Sequence, residues 1–379
     1  MTAPRVLVIG GYGVFGQRLC ARLLRGPAIE PLVAGRSADR AGAASNALKR
    51  QFPDQSVKPL AVDATAPLAE TLRDLRPLLV INAAGPFQER DYRVAEACIA
   101  AGCHYIDLAD GRDFVTGITR LDAAARAAGV LVVSGASSVP ALSAAAVDHL
   151  RRGLTRLDSI AIGIAPGNRA PRGRAVVEGI LGYSGKPLQV WQDGAWQRRF
   201  GWQDLRRRSL PGLGPRWFAT CDVPDLTLFP QRYPGVRSVT FQAGLELPLL
   251  HLGLWALTWP VRWGLIGSLR PLAGPLLALA KALERFGSDR GGMFVEVQGM
   301  DSQNRPCRRL WSLRAEAGHG PAIPVVPAAI LAARILRGET PESGARPCLD
   351  VFTLGEFQDS VSDLDICFSE ENERAQYGL

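Results

Sequence analysis

Short apolar runs recur along the first 150 residues, at 6–9 (VLVI), 31–34 (PLVA), 58–62 (KPLAV), 78–83 (LLVINA), 103–108 (CHYIDL) and 130–134 (VLVVS). They are bounded mostly by glycine, proline or aspartate. Runs this short, apolar on both faces, predict buried parallel strands. Helical patterns separate them at 16–25 (GQRLCARLLR), 39–52, 89–101 (ERDYRVAEACIAA) and 114–128. Strands alternating with helices predict an α/β domain, a Rossmann doubly wound parallel sheet covered on both sides.

Beyond about residue 155 the pattern changes. The segments 156–165, 188–200, 236–243, 293–299 and 307–314 read as half-buried strands of a second, α+β domain with a mainly antiparallel sheet. Gln192-Asp193-Gly194 between two aromatic-rich runs predicts a hairpin turn. An amphipathic helix at 327–338 is expected to pack back on the first domain. The expected organisation is therefore 1–150 with a return segment 322–358, a substrate and dimerisation domain at 151–321, and a peripheral tail at 359–379, which has few large apolar residues.

The stretch 245–283 is strongly apolar, but its longest charge-free run, 247–261, contains a proline and is shorter than the ~20 residues a membrane span needs. Two readings stay open. Its helices are buried, as a substrate-pocket lid or dimer interface, or they lie at a membrane surface with Trp255, Trp259 and Trp263 at headgroup level and Arg262 and Arg270 facing phosphates.

Composition adds a bound. With 47% hydrophobic and 21% charged residues, the 379-residue chain is that of a folded protein with room for two domains. The seven cysteines have neither disulfide-scaffold nor zinc-site spacing. The N-terminus lacks the apolar core and cleavage site of a signal peptide, so a cytoplasmic location is expected. The net charge of +8 is uneven, since residues 151–320 carry +12 and the remainder −4. That excess suits solvated arginines or attraction of an anionic substrate or surface. Nucleic acid is not expected, because the arginines do not interleave with aromatics in a recognised module.

The first strand runs into Gly10-Gly11-Tyr12-Gly13-Val14-Phe15-Gly16, a G-x-G-x-x-G between strand and helix. In that context it predicts a dinucleotide cradle. Gly11 allows the tight turn, Gly13 the close approach of pyrophosphate, and Gly16 the packing of helix on strand. An NAD site would place an acid at the end of the second strand. Here stand Arg36 and Ser37, suited to a 2′-phosphate, while Glu30 lies at the wrong end. The expected cofactor is NADP. Asp63 ends the third strand, either at the adenine amino group or as a helix cap. The small residues Ala84, Gly85 and Pro86, with Phe87, end the fourth, either as backbone beside ribose and nicotinamide or as a rigid turn.

These segments, VLVIGGYGVFG, VAGRS, VINAAGPF, VAEACIAAGCHYIDLAD and the late GHGPAIPVVPAAILAARIL, resemble the saccharopine dehydrogenase-like oxidoreductases, closely over 4–140 and more loosely beyond. The resemblance implies an NADP-binding Rossmann domain, an inserted domain for dimer contacts and substrate, and NADP-dependent hydride transfer. SVPALSAAA at 138–146 departs from the D-P-G segment of amino-acid-handling relatives, which argues against an amino-acid substrate.

Hydride transfer needs at most one proton donor or acceptor from the protein. Asp107 and Asp110 end the fifth strand at the sheet's carboxyl edge, Asp110 being equally a helix cap. Tyr233 and His319 are cleft candidates, and Arg172 and Arg174 can clamp an anionic substrate. The function expected is an NADP-dependent oxidoreductase acting on a small molecule, with a hydrophobic substrate suggested by 245–283. An NADP-binding sensor or membrane-peripheral protein without turnover is the alternative.

Overall fold

The computed structural model describes residues 3–171 and 173–374. Contacts divide the chain into two units. One runs to Leu142 and resumes over Pro321–Phe352; the other holds Ser143–Gly320 and the chain from Thr353.

The first unit alternates β1 (Arg5–Ile9), α1 (Val14–Leu23), β2 (Glu30–Gly35), α2 (Ala38–Gln51), β3 (Lys58–Ala61), α3 (Ala69–Leu75), β4 (Leu79–Asn82), α4 (Arg93–Ala101), β5 (His104–Asp107), α5 (Arg112–Gly117), α6 (Asp122–Ala127) and β6 (Leu131–Ser134). The strands are the predicted apolar runs. In β1, β4 and β6 nearly every side chain is buried, because helices cover both faces of the sheet. The helices bury one stripe each, as in α1 with Gly16, Leu19, Cys20 and Leu23.

The sheet order is β3-β2-β1-β4-β5-β6, all parallel, closed at the β6 edge by a returning strand, Gly344–Pro347. The chain order reverses between β1 and β4, and this switch point leaves a crevice at the strands' carboxyl ends. The expected returning helix is Val326–Leu336, which packs on α1.

The second unit comprises α7 (Ser143–Leu150), β7 (Leu154–Ala165), α8 (Arg174–Tyr183), β8 (Pro187–Gln192), β9 (Ala195–Phe200), β10 (Arg206–Leu210), β11 (Gly214–Thr220), α9 (Asp225–Arg232), β12 (Ser238–Ala243), α10 (Pro248–Arg262), α11 (Ala273–Ala282), β13 (Gly291–Asp301) and β14 (Pro306–Ala315). The sheet is mixed, mainly antiparallel, with β7 and β12 running parallel. The β8–β9 hairpin turns at Asp193 and Gly194, both with positive φ (54° and 80°), as a type I′ turn requires. Around Ala165, Leu210, Phe218, Phe294 and Leu310 the sheet builds a core in which Phe294 lies so close over Gly163 that no side chain fits there.

Two expectations about the chain's ends change. The first boundary falls at 142/143 rather than 150/151, because α7 packs on β13 and β14 of the second sheet. Residues 359–379 are not a peripheral tail as far as they are described. Ile366–Arg374 forms a strand along the edge of β14, and Phe368 stacks on Trp311 at 6.0 Å. Main-chain pairing holds an edge strand of modest apolar content, a bond that composition does not report.

Candidate active site

At the switch point the turn after β1 is built by glycines, each for a separate reason. Gly10 takes φ +77°, so the left-handed position of this turn is Gly10. A Cβ on Gly10 would also stand 2.9 Å from Ala83 backbone. Gly11 donates its amide to Ala34 O at 2.9 Å and lies against Val8 O and Val33. At Gly16 a Cβ would fall 2.1 Å from Gly10 O, so the helix rests directly on the turn. Gly13 is the N-cap of α1 and offers no side chain to the first-turn amides, whose partial positive charge faces the crevice.

Tyr12 ties this turn to the end of β2. Its hydroxyl accepts the Ser37 amide at 3.2 Å, and its ring covers Gly35 so closely that a Cβ there would be 2.3 Å from Cε1. The Arg40 guanidinium lies over the ring, 4.5 Å from its centre. Arg36 is exposed at the strand end. Ser37 is the N-cap of α2, its Oγ accepting the Arg40 amide at 3.2 Å, an arrangement that leaves its hydroxyl proton able to donate. Glu30 begins β2 and is paired with Arg5 at 2.9 Å and with Lys58.

Asp63 is not a helix cap. Its Oδ1 accepts the Thr65 amide and hydroxyl at 2.9 and 2.8 Å, six residues before α3 begins. Those bonds, with Arg36 and Arg90 nearby, hold its carboxyl below the ordinary range.

On the other side of the switch point, Asn82 Oδ1 accepts the Ala84 amide at 3.1 Å and fixes the start of the loop through Gly85, Pro86 and Phe87. Phe87 is buried against Phe114. Gln88 donates to Asp110 Oδ1 at 3.1 Å. Asp110 therefore holds the two loops together, while the N-cap of α5 is Gly111. Burial raises the Asp110 carboxyl.

Asp107 is fully buried at the end of β5. Its Oδ1 receives the Gly135 amide (2.8 Å), the Ser134 hydroxyl (2.9 Å) and the Ala109 amide (3.0 Å), while Oδ2 has no hydrogen-bond partner among the described residues. Burial pushes its pKa up to about 6, against the pull of those donors. Alone among the four catalytic candidates it is a fully buried carboxylate ending its strand at the carboxyl edge, with the buried Tyr105 hydroxyl also acting on it.

The other candidates are engaged elsewhere. Tyr233 is buried within the second unit and its hydroxyl accepts from Arg232 at 3.1 Å; burial raises its pKa. His319 Nδ1 accepts the Asp365 amide at 2.9 Å, fixing the approach to the last strand. Arg174 pairs with Glu178 one turn along α8 at 2.6 Å. Arg172 lies outside the described residues.

The helices of 245–283 are not buried as a lid would be. On α11 only Ala273 is buried, and Leu279 stands exposed. Sequence reasoning missed Arg40, whose signal was its place one turn into α2 from Ser37. It also missed Asp225, fully buried with Oδ1 bonded to the Ser143 hydroxyl and its pKa pushed up to about 7 by burial.

Residues 6–133 match the family model described as the saccharopine dehydrogenase NADP binding domain. Among solved structures, apo saccharopine dehydrogenase (L-Glu forming) from Saccharomyces cerevisiae aligns over 98% of this chain and 100% of its own, with 15% identity and a TM-score of 0.66. The oxidoreductase yvaA from Bacillus subtilis, described as putative, aligns over 94% of each chain at 13% identity with a TM-score of 0.40. Comparison with curated proteins finds no match. The chain thus shares the fold of the yeast enzyme, and it is residues 6–133 that match the saccharopine dehydrogenase NADP binding domain family.

Proposed function

We propose that the protein is an NADP-dependent oxidoreductase. The observation that carries this reading is the glycine cradle at the switch point, where side chains are excluded at Gly10 and Gly16, with Arg36 at the adjoining strand end. Gly10–Gly16, with Tyr12, Val14, Phe15 and the first-turn amides of α1, would hold the pyrophosphate. Arg36 and the Ser37 hydroxyl would hold the 2′-phosphate. Asp63 would accept from the adenine amino group, and the backbone of 84–87 would line the nicotinamide ribose. The bound cofactor supplies or accepts the hydride. Asp107 is the residue we assign to the proton or to substrate orientation, because it ends β5 at the carboxyl edge of the sheet and burial raises its carboxyl.

The substrate is a small molecule other than an amino acid, a reading supported by the absence of D-P-G at 138–146. Fluorescence titration of NADPH against NADH, repeated for Arg36→Asp, tests the cofactor reading. NADPH is expected to bind wild type more tightly, with the preference lost in the variant; equal affinities in wild type would refute it. Carbonyl, imine and enoyl compounds other than amino-acid derivatives are expected to oxidise NADPH at 340 nm and to compete with one another, whereas turnover restricted to amino-acid substrates would refute the substrate class.

A further inference from the structure

Of ten exposed large apolar side chains among the described residues, eight lie between Leu249 and Phe286. α10 buries a single stripe, His251, Leu254, Thr258 and Val261, and leaves Leu249 and Leu257 outside. The turn that follows exposes Trp263 (65%), Leu265 (72%) and Ile266. α11 is apolar all round except for Lys281, a pattern that belongs in a core, yet it stands at the surface. Trp255, Trp259 and Trp263 form an aromatic ladder along α10, with ring centres 5.7 and 5.5 Å apart, and Arg262 stacks on Trp259 at 4.9 Å.

We propose that this surface docks the protein onto an anionic phospholipid bilayer. Charge selects the partner. Between 249 and 286 stand Arg262, Arg270, Lys281 and Arg285 against Glu284 alone. Arg270 folds over Gly182 of α8 and Arg262 binds Gln203, which leaves Lys281 and Arg285, both exposed, at the rim of the apolar face. A two-fold contact with a second copy would set this positive patch against itself, whereas phosphatidylglycerol or phosphatidylserine headgroups neutralise it. No helix among the described residues is long and apolar enough to cross a membrane, so α10 and α11 lie in the interface, with tryptophan and arginine at headgroup depth and leucine below.

The test uses the full chain and does not depend on the cofactor reading. In co-sedimentation, vesicles of phosphatidylcholine with phosphatidylglycerol are expected to recover the protein, with recovery falling as salt rises, and phosphatidylcholine alone to recover little. Replacing the exposed turn (Trp263→Ser, Leu265→Ser, Ile266→Ser) should lower partitioning roughly tenfold or more, and Lys281→Glu with Arg285→Glu should bring recovery down to that on phosphatidylcholine. Quenching of wild-type tryptophan fluorescence by brominated acyl chains provides a readout that needs no variant. Equal recovery on the two vesicle types, no quenching, or a folded triple variant that still sediments overturns the proposal. So does a wild-type dimer, dissociated by the triple substitution, that binds no vesicle.

Discussion

The ring of Tyr12 closes over Gly35, leaving room for no side chain: a Cβ at position 35 would stand 2.3 Å from Tyr12 Cε1. The clasp holds the phosphate turn against the strand end that carries Arg36. Gly35→Ala should therefore destabilise the first unit by roughly 1–3 kcal/mol through overpacking and weaken NADPH binding with it. Adding Tyr12→Ala should recover part of the stability without restoring the affinity. Denaturant unfolding and cofactor titration of the single and double variants check this; a Gly35→Ala protein as stable as wild type would sink it.

Arg40, stacked on Tyr12, puts a second cation one turn along α2 from Arg36. If it shares the 2′-phosphate, Arg40→Ala should raise the Kd for NADPH about three- to tenfold, the effect of one partly exposed charge-assisted contact. NADH should bind that variant as it binds wild type. An equal loss for both cofactors would make Arg40 only a support for the Tyr12 ring.

Asp107 sets a pH dependence with a definite sign. Its folded-state pKa, about 6, lies above the ordinary 3.8. Between those values the folded protein binds more protons than the unfolded one, so its contribution favours folding at low pH and is lost as pH rises through that window. The difference corresponds to on the order of 3 kcal/mol. Asp107→Asn keeps an acceptor for Gly135, Ser134 and Ala109 while avoiding the buried charge. Its melting temperature relative to wild type should therefore be higher at pH 8 than at pH 4. Activity should fall in the same variant if the carboxylate handles a proton. A constant melting difference across pH would contradict the assignment.

In the second unit Glu296, buried on β13, receives Arg208 at 2.6 Å and Arg308 at 2.9 Å. Burial alone would raise its carboxyl, but the two guanidinium groups outweigh it and hold the pKa below the ordinary value. Its contribution to stability is therefore present above the ordinary range and lost as pH falls through the lowered value. Glu296→Ala takes from Arg208 its carboxylate while Arg308 keeps Glu373 at 2.8 Å, and should cost about 1–3 kcal/mol, read from chemical denaturation at neutral pH. Glu296→Gln should cost less and lose its difference from wild type in acid.

The apolar runs and the glycine spacing determined the parallel sheet, the switch-point turn and the strand end bearing Arg36, because burial on both sheet faces and close backbone approach leave marks on single residues and their neighbours. The Asp193-Gly194 turn was legible for the same reason, since its backbone demands particular residue types. What only the tertiary structure decided depends on partners distant in the chain. Tyr12 meets Gly35 across 23 positions and Asp107 meets Gly135 across 28. The strand Ile366–Arg374 finds β14 through main-chain bonds that no side chain announces. The segment 245–283 shows the limit most plainly: its composition is that of a core, and only the fold shows that the core stands at the surface. Hydropathy records how much a residue gains by leaving water; which neighbour takes it out of water is settled by the packing of the whole chain.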